Sequence, residues 1–329
     1  MLSKKKEQLL KLIIEDYIKT ARPVSSKSLM EILKCSSATI RNEMAELEEE
    51  GLLEKTHISS GRVPSELGYR YYVDNIMKPK EITGDDMLKL QTVFHNKSLV
   101  LDDAILRSME IISELTNYTA IVLGSTKDSN LVTKIEVVPM SDDKLIALVI
   151  TDKGHVEHRN IVIDGHVSAN EIKKTVEIIN KLIIGTPISE VSKVLEFEIK
   201  PIIGKYVEQH EALYNAFYNA FSDFKENTDV KVKGTSNILK QPEFNNVDKI
   251  RDIISKFEDK TIVNQIKEED NGINIYIGSE NSFDDDVTII KTKYNCNGEE
   301  GTIALIGPKR MEYERVITLL DYIKRNIDN

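Results

Sequence analysis

The chain has 329 residues, 40% hydrophobic and 30% charged, a length that predicts two or three domains with buried cores. Apolar runs such as residues 146–150 fall far short of the ~20 residues that cross a bilayer, the opening Met1-Leu2-Ser3-Lys4-Lys5-Lys6 does not read as a secretory leader, and two distant cysteines, Cys35 and Cys296, exclude a disulfide framework or a cysteine metal cluster. The net charge of −10 is unevenly placed: residues 1–78 hold 13 basic and 12 acidic side chains and the remainder 31 and 42, so a reduced, cytoplasmic protein with a local nucleic-acid face is expected.

Leu10, Ile13, Ile14, Tyr17 and Ile18 recur at helical spacing and predict an amphipathic helix over residues 4–20, broken at Arg22-Pro23. Ser25 or Ser26 suits the N-cap of a short second helix through Leu33, with Leu29, Ile32 and Leu33 turned inward. Lys34-Cys35-Ser36 makes a tight turn. Ser36 or Ser37 then caps a third helix from Thr39 to about Glu50, ended by Gly51. Helix, tight turn, helix is the helix-turn-helix arrangement.

The third helix carries the functional signal. Ile40, Met44 and Leu47 make its buried stripe, which leaves Ala38, Thr39, Arg41, Asn42, Ala45, Glu46 and Glu49 on the outer half. Its leading turn offers Ser37, Thr39, Arg41 and Asn42 as donors, while Glu46, Glu48, Glu49 and Glu50 crowd its tail, where phosphates would be repelled. A recognition helix reads bases with its N-terminal residues. Arginine fits guanine O6/N7 and asparagine adenine N6/N7, although either can instead hold a phosphate.

Residues 52–58 read as a strand, Ser59-Ser60-Gly61 as a turn and Arg62-Val63 as the return before Pro64, a hairpin with Lys55, His57, Ser60 and Arg62 around its tip. An isolated hairpin of this kind is equally well a solvated loop; directly after a helix-turn-helix it reads as a wing. Cys35 is expected to pack under the turn. Together these features give a candidate DNA-binding set of Ser37, Thr39, Arg41, Asn42, Lys55, His57, Ser60 and Arg62.

Residues 65–77 predict a helix with Tyr69, Tyr72, Val73 and Ile76 on one side, followed by a linker through Pro79 and residues 83–86. A helix over 86–117, interrupted near Asn96-Lys97, precedes strands at 118–124, 133–139, 144–151 and 155–163. Helices are expected at 169–184, 190–196 and 202–224. The last carries Tyr206, Leu213, Phe217, Tyr218 and Phe221, which suit a core first, and a dimer face or ligand lining after that. Beyond Gln241-Pro242 the pattern gives helices at 247–258 and 260–268, strands at 274–278, 286–294 and 301–305, and a closing helix over 311–326.

Four stretches resemble the HrcA family of heat-inducible transcription repressors: residues 36–44 with Leu47-Glu48 and Gly51-Leu52; residues 56–64 with 68–74; residues 234–239 through 241–244; and residues 301–308 with Met311, Glu312 and Tyr313. The wing departs mildly in Ile58-Ser59-Ser60 but keeps Gly61-Arg62. The resemblance implies an α+β multidomain fold: a winged helix-turn-helix (1–78), then a GAF-like α/β domain in two parts (79–152 and 224–329) interrupted by an inserted dimerisation domain (153–223). It also implies a homodimer on double-stranded DNA at an inverted-repeat operator, the CIRCE element of GroE- and DnaK-type chaperone operons, with the GroE chaperonin holding the repressor in its DNA-binding conformation.

No cofactor, metal site, membrane partner or enzymatic activity is expected. There is no phosphate-binding loop; His155 and His158 fall on opposite faces of a strand; and Asp284-Asp285-Asp286 lacks the spacing of a calcium loop and reads as a solvated turn. Two other readings stay open on residues alone, a regulator gated by a small effector and a protein-binding adaptor that uses its winged helix to hold another protein.

Overall fold

The computed structural model describes residues 2–55, 61–95, 101–124, 131–141, 144–152, 156–163, 168–202, 210–221, 230–244, 246–268, 270–296 and 299–328. They form two compact units, one of residues Met1–Ser125 with Asp229–Asn329, the other of Thr126–Thr228.

The first unit opens with α1 (Lys4–Thr20), capped by the Ser3 hydroxyl and closed by Ala21 in the left-handed region. A turn over residues 26–29 leads into α2 (Met30–Leu33). Leu29 is buried as expected, but Ile32 is 58% exposed, because the preceding turn rotates the four-residue helix so that Ile32 faces outward. After α3 (Ser37–Glu49), strands β1 (Leu53–Lys55) and β2 (Arg62–Pro64) pair antiparallel. α4 (Glu66–Tyr71) runs on into a wider turn, closed by the Met77 N–H on the Tyr72 carbonyl at 2.9 Å. The expected long helix is two, α5 (Gly84–Phe94) and α6 (Leu101–Thr116), and β3 (Thr119–Leu123) follows.

In the second unit, β4 (Val132–Pro139), β5 (Lys144–Thr151) and β6 (Val156–Val162) form an antiparallel sheet in that order. Alternation sends Leu145, Ala147 and Val149 of the central strand into a core with Ile179 and Ile183 of α7 (Ala169–Ile183), Val191 of α8 (Val191–Val194) and Phe217 of α9 (His210–Phe221). Edge strand β4 is partly satisfied by a side chain: Asn180 accepts from the Ile135 N–H at 2.7 Å and donates to its carbonyl at 2.8 Å. Tyr214 and Phe217 are buried, whereas Tyr206 and the side chains of Leu213 and Phe221 lie outside what is described. This unit begins well before residue 153. Strands β4 and β5, assigned from sequence to the first part of the larger domain, pair with β6 instead.

The chain returns to the first unit with β7 (Val230–Lys233), α10 (Thr235–Ile238), α11 (Val247–Glu258), α12 (Lys260–Asn264), β8 (Ile273–Ile277), β9 (Val287–Cys296), β10 (Glu299–Pro308) and α13 (Tyr313–Ile327). The five strands run antiparallel in the order β7-β3-β10-β9-β8. Both faces are covered, which explains the unbroken apolar run of β3. Ala120, Val122, Ile303 and Leu305 pack with α6 and α13, while Ile121, Leu123, Ala304 and Ile306 pack with Ile253, Phe257 and Val263 of α11 and α12. The first of these layers is continuous with the winged-helix core of Leu9, Leu10, Ile13, Ile14, Ile40, Met44 and Leu47.

The stretches around 234–244 and 309–313 are structural. Gly234 has φ +70°, and a Cβ there would lie 2.0 Å from the Ser113 hydroxyl. Asn237 donates to that hydroxyl at 3.0 Å, and Gln241 donates to the Asn117 carbonyl at 3.0 Å. Arg310 then ties this segment to the winged helix, donating to Gln241 at 3.0 Å and to the Ile18 carbonyl at 3.2 Å, and pairing with Glu243. Asp284 is not in a solvated turn. Its carboxylate is buried and pairs with Lys249 at 2.9 Å and Lys256 at 2.8 Å.

Candidate nucleic-acid interface

Helix α3 is fixed at both ends and along its back. The Ser36 hydroxyl accepts from the Thr39 N–H at 3.2 Å. At the other end Gly51 takes φ +77°, its N–H reaches the Glu48 carbonyl at 3.0 Å and the Leu52 N–H reaches the Leu47 carbonyl at 2.9 Å, a paired closure that favours glycine. Ile40, Met44 and Leu47 are at most 3% exposed, and each such burial contributes on the order of 1.5–3 kcal/mol. A helix held this way presents its outer face rigidly.

On that face Thr39, Arg41 and Asn42 are exposed. Among the described residues, no ion pair or hydrogen bond engages the side chains of Arg41 and Asn42, whereas the Thr39 hydroxyl lies 2.9 Å from that of Ser36. Ser37 is half-buried, its hydroxyl 2.8 Å from Ser26, so it pins the front of α3 to the turn before α2. Of the four hydroxyl and polar side chains read from sequence, Arg41 and Asn42 are thus the ones held ready for a partner.

The acidic tail of α3 is not bare. Glu43 pairs with Lys5 at 2.5 Å, Lys6 reaches Glu46 at 2.9 Å and Glu50 at 2.7 Å, and Glu48 pairs with Lys55 at 3.0 Å and Arg62 at 2.7 Å. Hydrogen bonds to Glu50 and then Glu46 push the Lys6 ammonium up to about 12. Burial pushes the Glu48 carboxyl up, but Lys55 and Arg62 outweigh it and hold it below the usual carboxylate range. Lys5, Lys6, Lys55 and Arg62 are therefore committed to carboxylates.

Of the hairpin candidates, Lys55 sits at the end of β1 and Arg62 at the start of β2, directly opposite each other. Arg62 is only 11% exposed at its side chain, behind Glu48. His57 and Ser60 lie outside the described residues. Two cations were missed in the sequence reading: Lys27, next to Ser26, and Lys34, the left-handed residue that ends α2. Both are exposed, and neither has an ion pair among the described residues. Their flanking of a helix-turn-helix turn was the available signal.

Comparison with known proteins agrees with this architecture. A family described as a DeoR-like helix-turn-helix domain matches residues 11–61, and one described as the HrcA protein C terminal domain matches residues 102–317. The heat-inducible transcription repressor HrcA of Bacillus pumilus (strain SAFR-032) is 38% identical over 335 residues, covering 100% of this chain and 98% of its own. The chain belongs to the HrcA family. HrcA of Lysinibacillus sphaericus is likewise 38% identical, over 99% of this chain and 97% of its own length. The HrcA relatives are transcription repressors rather than enzymes. A crystal structure of a hypothetical protein at 2.2 Å resolution superposes with a TM-score of 0.67 at 22% identity, over 100% of this chain and 98% of the other, which shows a shared fold. No helix among the described residues is long and apolar enough to cross a membrane.

Proposed function

We propose that this chain represses chaperone operons of the GroE and DnaK type by binding, as a homodimer, the inverted-repeat CIRCE operator in the cytoplasm. Arg41 and Asn42, exposed on the first turns of a capped helix and unengaged among the described residues, are the observation that carries the reading. Both can enter a major groove while Ile40 and Met44 stay buried behind them. Thr39 supports them from the same turn, and Lys27 and Lys34 flank the helix as phosphate contacts. The serine at 37 and the cations at 55 and 62 serve the site from behind, and His57 and Ser60 remain proposed DNA contacts from the sequence.

An inverted repeat demands two reading heads related by a two-fold axis. The inserted unit is the proposed dimerising element. The outer face of its sheet carries half-buried Ile146, Leu148 and Ile150 on β5 beside exposed Val138, Val156 and Val162, apolar side chains interleaved with Lys134, Glu136, Lys144 and His158, a mixed surface suited to a second copy. The five-stranded unit is read as the GAF-like body. The GroE chaperonin is the proposed modulator, keeping the repressor in its DNA-binding conformation until misfolded protein occupies the chaperonin. Gel shift on an inverted-repeat duplex and its scrambled counterpart, with and without chaperonin, tests the reading. Selective retardation that chaperonin strengthens is expected, and equal affinity for both duplexes would overturn it.

A further inference from the structure

The hairpin after α3 places two cations face to face. Lys55 and Arg62 are direct cross-strand partners, so their side chains leave the same face of the two-stranded sheet, where like charges repel. That face meets the last full turn of α3, and Glu48 lies between them, 3.0 Å from Lys55 Nζ and 2.7 Å from Arg62 Nε. The Arg62 Nε and Glu48 Oε2 atoms are sealed from solvent and face each other as an ion pair.

Arg62 is held by its backbone as well. Its N–H and carbonyl each bond Val24 at 2.8 Å, tying β2 to the loop after α1. This is why glycine precedes it: a Cβ on residue 61 would lie 2.2 Å from the Val24 carbonyl oxygen. Backbone bridge and side-chain pair thus fasten one residue to both the α1–α2 loop and the recognition helix. An arginine 11% exposed at its side chain has little left to offer a phosphate.

We propose that Glu48 and Arg62 form a strut that sets the angle of the wing on α3, making Glu48 and Arg62 positioning residues for DNA recognition rather than a repelling charge and a phosphate contact. The strut rests on the reading of α3 as the DNA reader. A carboxylate on a recognition helix opposes binding by its charge, whereas this one gathers two cations. Lys55, 44% exposed at its side chain against 26% for Glu48, is the most exposed member of the trio.

The test uses the full-length chain in two measurements on three variants: Glu48→Gln, Arg62→Gln, and the reversed pair Glu48→Lys with Arg62→Glu. Hydrogen exchange of the free protein should quicken about tenfold at residues 53–55 and 62–64 in Glu48→Gln, with α1 protection unchanged. In titrations of inverted-repeat and scrambled duplexes across a salt series, Glu48→Gln and Arg62→Gln should each bind the repeat about tenfold more weakly with an unaltered salt slope, and the reversed pair should recover most of that loss. Unchanged exchange in Glu48→Gln would overturn the strut. So would tighter binding by Glu48→Gln together with a salt slope lowered by about one in Arg62→Gln, the signature of a phosphate contact. If the unsubstituted chain fails to distinguish the duplexes while Glu48→Gln still loosens the hairpin, the DNA reading falls and the strut stands.

Discussion

The Tyr72 hydroxyl donates a 2.8 Å hydrogen bond to Oε1 of Glu314, joining the turn after the wing to the first turn of α13. Both residues are buried, and the second carboxylate oxygen of Glu314 pairs with Lys80 at 2.8 Å. Nearby, Arg70 pairs with Glu280 and donates to the Ile275 carbonyl at 2.6 Å, while Glu66 accepts from Lys309 at 3.0 Å and from the Ser279 hydroxyl at 2.9 Å. The helix-turn-helix segment is therefore built into the same packed layer as the five-stranded sheet. Tyr72→Phe, which leaves a buried carboxylate oxygen short of one donor, is expected to cost about 1–3 kcal/mol in urea denaturation. An unchanged midpoint would show that the bond does not hold the joint.

The same joint is rich in buried phenols, which gives a signed pH dependence. Burial pushes the Tyr118 hydroxyl up to about 12 and holds those of Tyr69, Tyr72 and Tyr313 higher than an exposed tyrosine. A phenol whose value is raised on folding contributes stability that is complete below its unfolded value of about 10 and is lost as pH rises through the folded one. Urea midpoints should hold level from pH 8 to 9.5 and fall between pH 10 and 12, less steeply in Tyr118→Phe. A midpoint flat to pH 12 would contradict the burial.

Gly61 tests the close approach behind the hairpin. In Gly61→Ala the new methyl meets the Val24 carbonyl oxygen and the Pro23 backbone, none of which can move as a flexible side-chain tip would. A loss of about 1–3 kcal/mol in denaturant unfolding is expected, with weakened duplex binding. Wild-type stability and binding would mean that the strand does not lie against the α1–α2 loop.

Lys27 and Lys34 bear on the phosphate contacts. Lys27→Gln and Lys34→Gln should each weaken binding to inverted-repeat and scrambled duplexes alike and lower the salt slope by about one. An unaltered slope in both variants would remove the turn before α3 from the contact surface.

Much of this was legible in the residues, and the failures have a common cause. The bounds of α1 follow from its apolar period and from the break at Arg22-Pro23, and Ile40, Met44 and Leu47 declare the back of α3. These are local signals. The partner of a strand is not local: β4 and β5 have the same Val- and Ile-rich pattern whether they join a large sheet or a small one, so the inserted unit could not be bounded from sequence. β7 was missed because Val-Lys-Val-Lys is a short edge-strand pattern with little apolar weight. Arg62 shows the limit most clearly. Its charge is visible in the sequence, but its cross-strand neighbour Lys55 and the carboxylate between them become visible only once the hairpin lies on α3.

The most direct measurement is fluorescence anisotropy of the full-length chain on inverted-repeat and scrambled duplexes at fixed salt, with Arg41→Ala and Asn42→Ala made singly. Each substitution should cost about 1–3 kcal/mol on the repeat and much less on the scrambled duplex, narrowing the preference between them. If both variants bind the repeat as the unsubstituted chain does, the front of α3 is not the reading face.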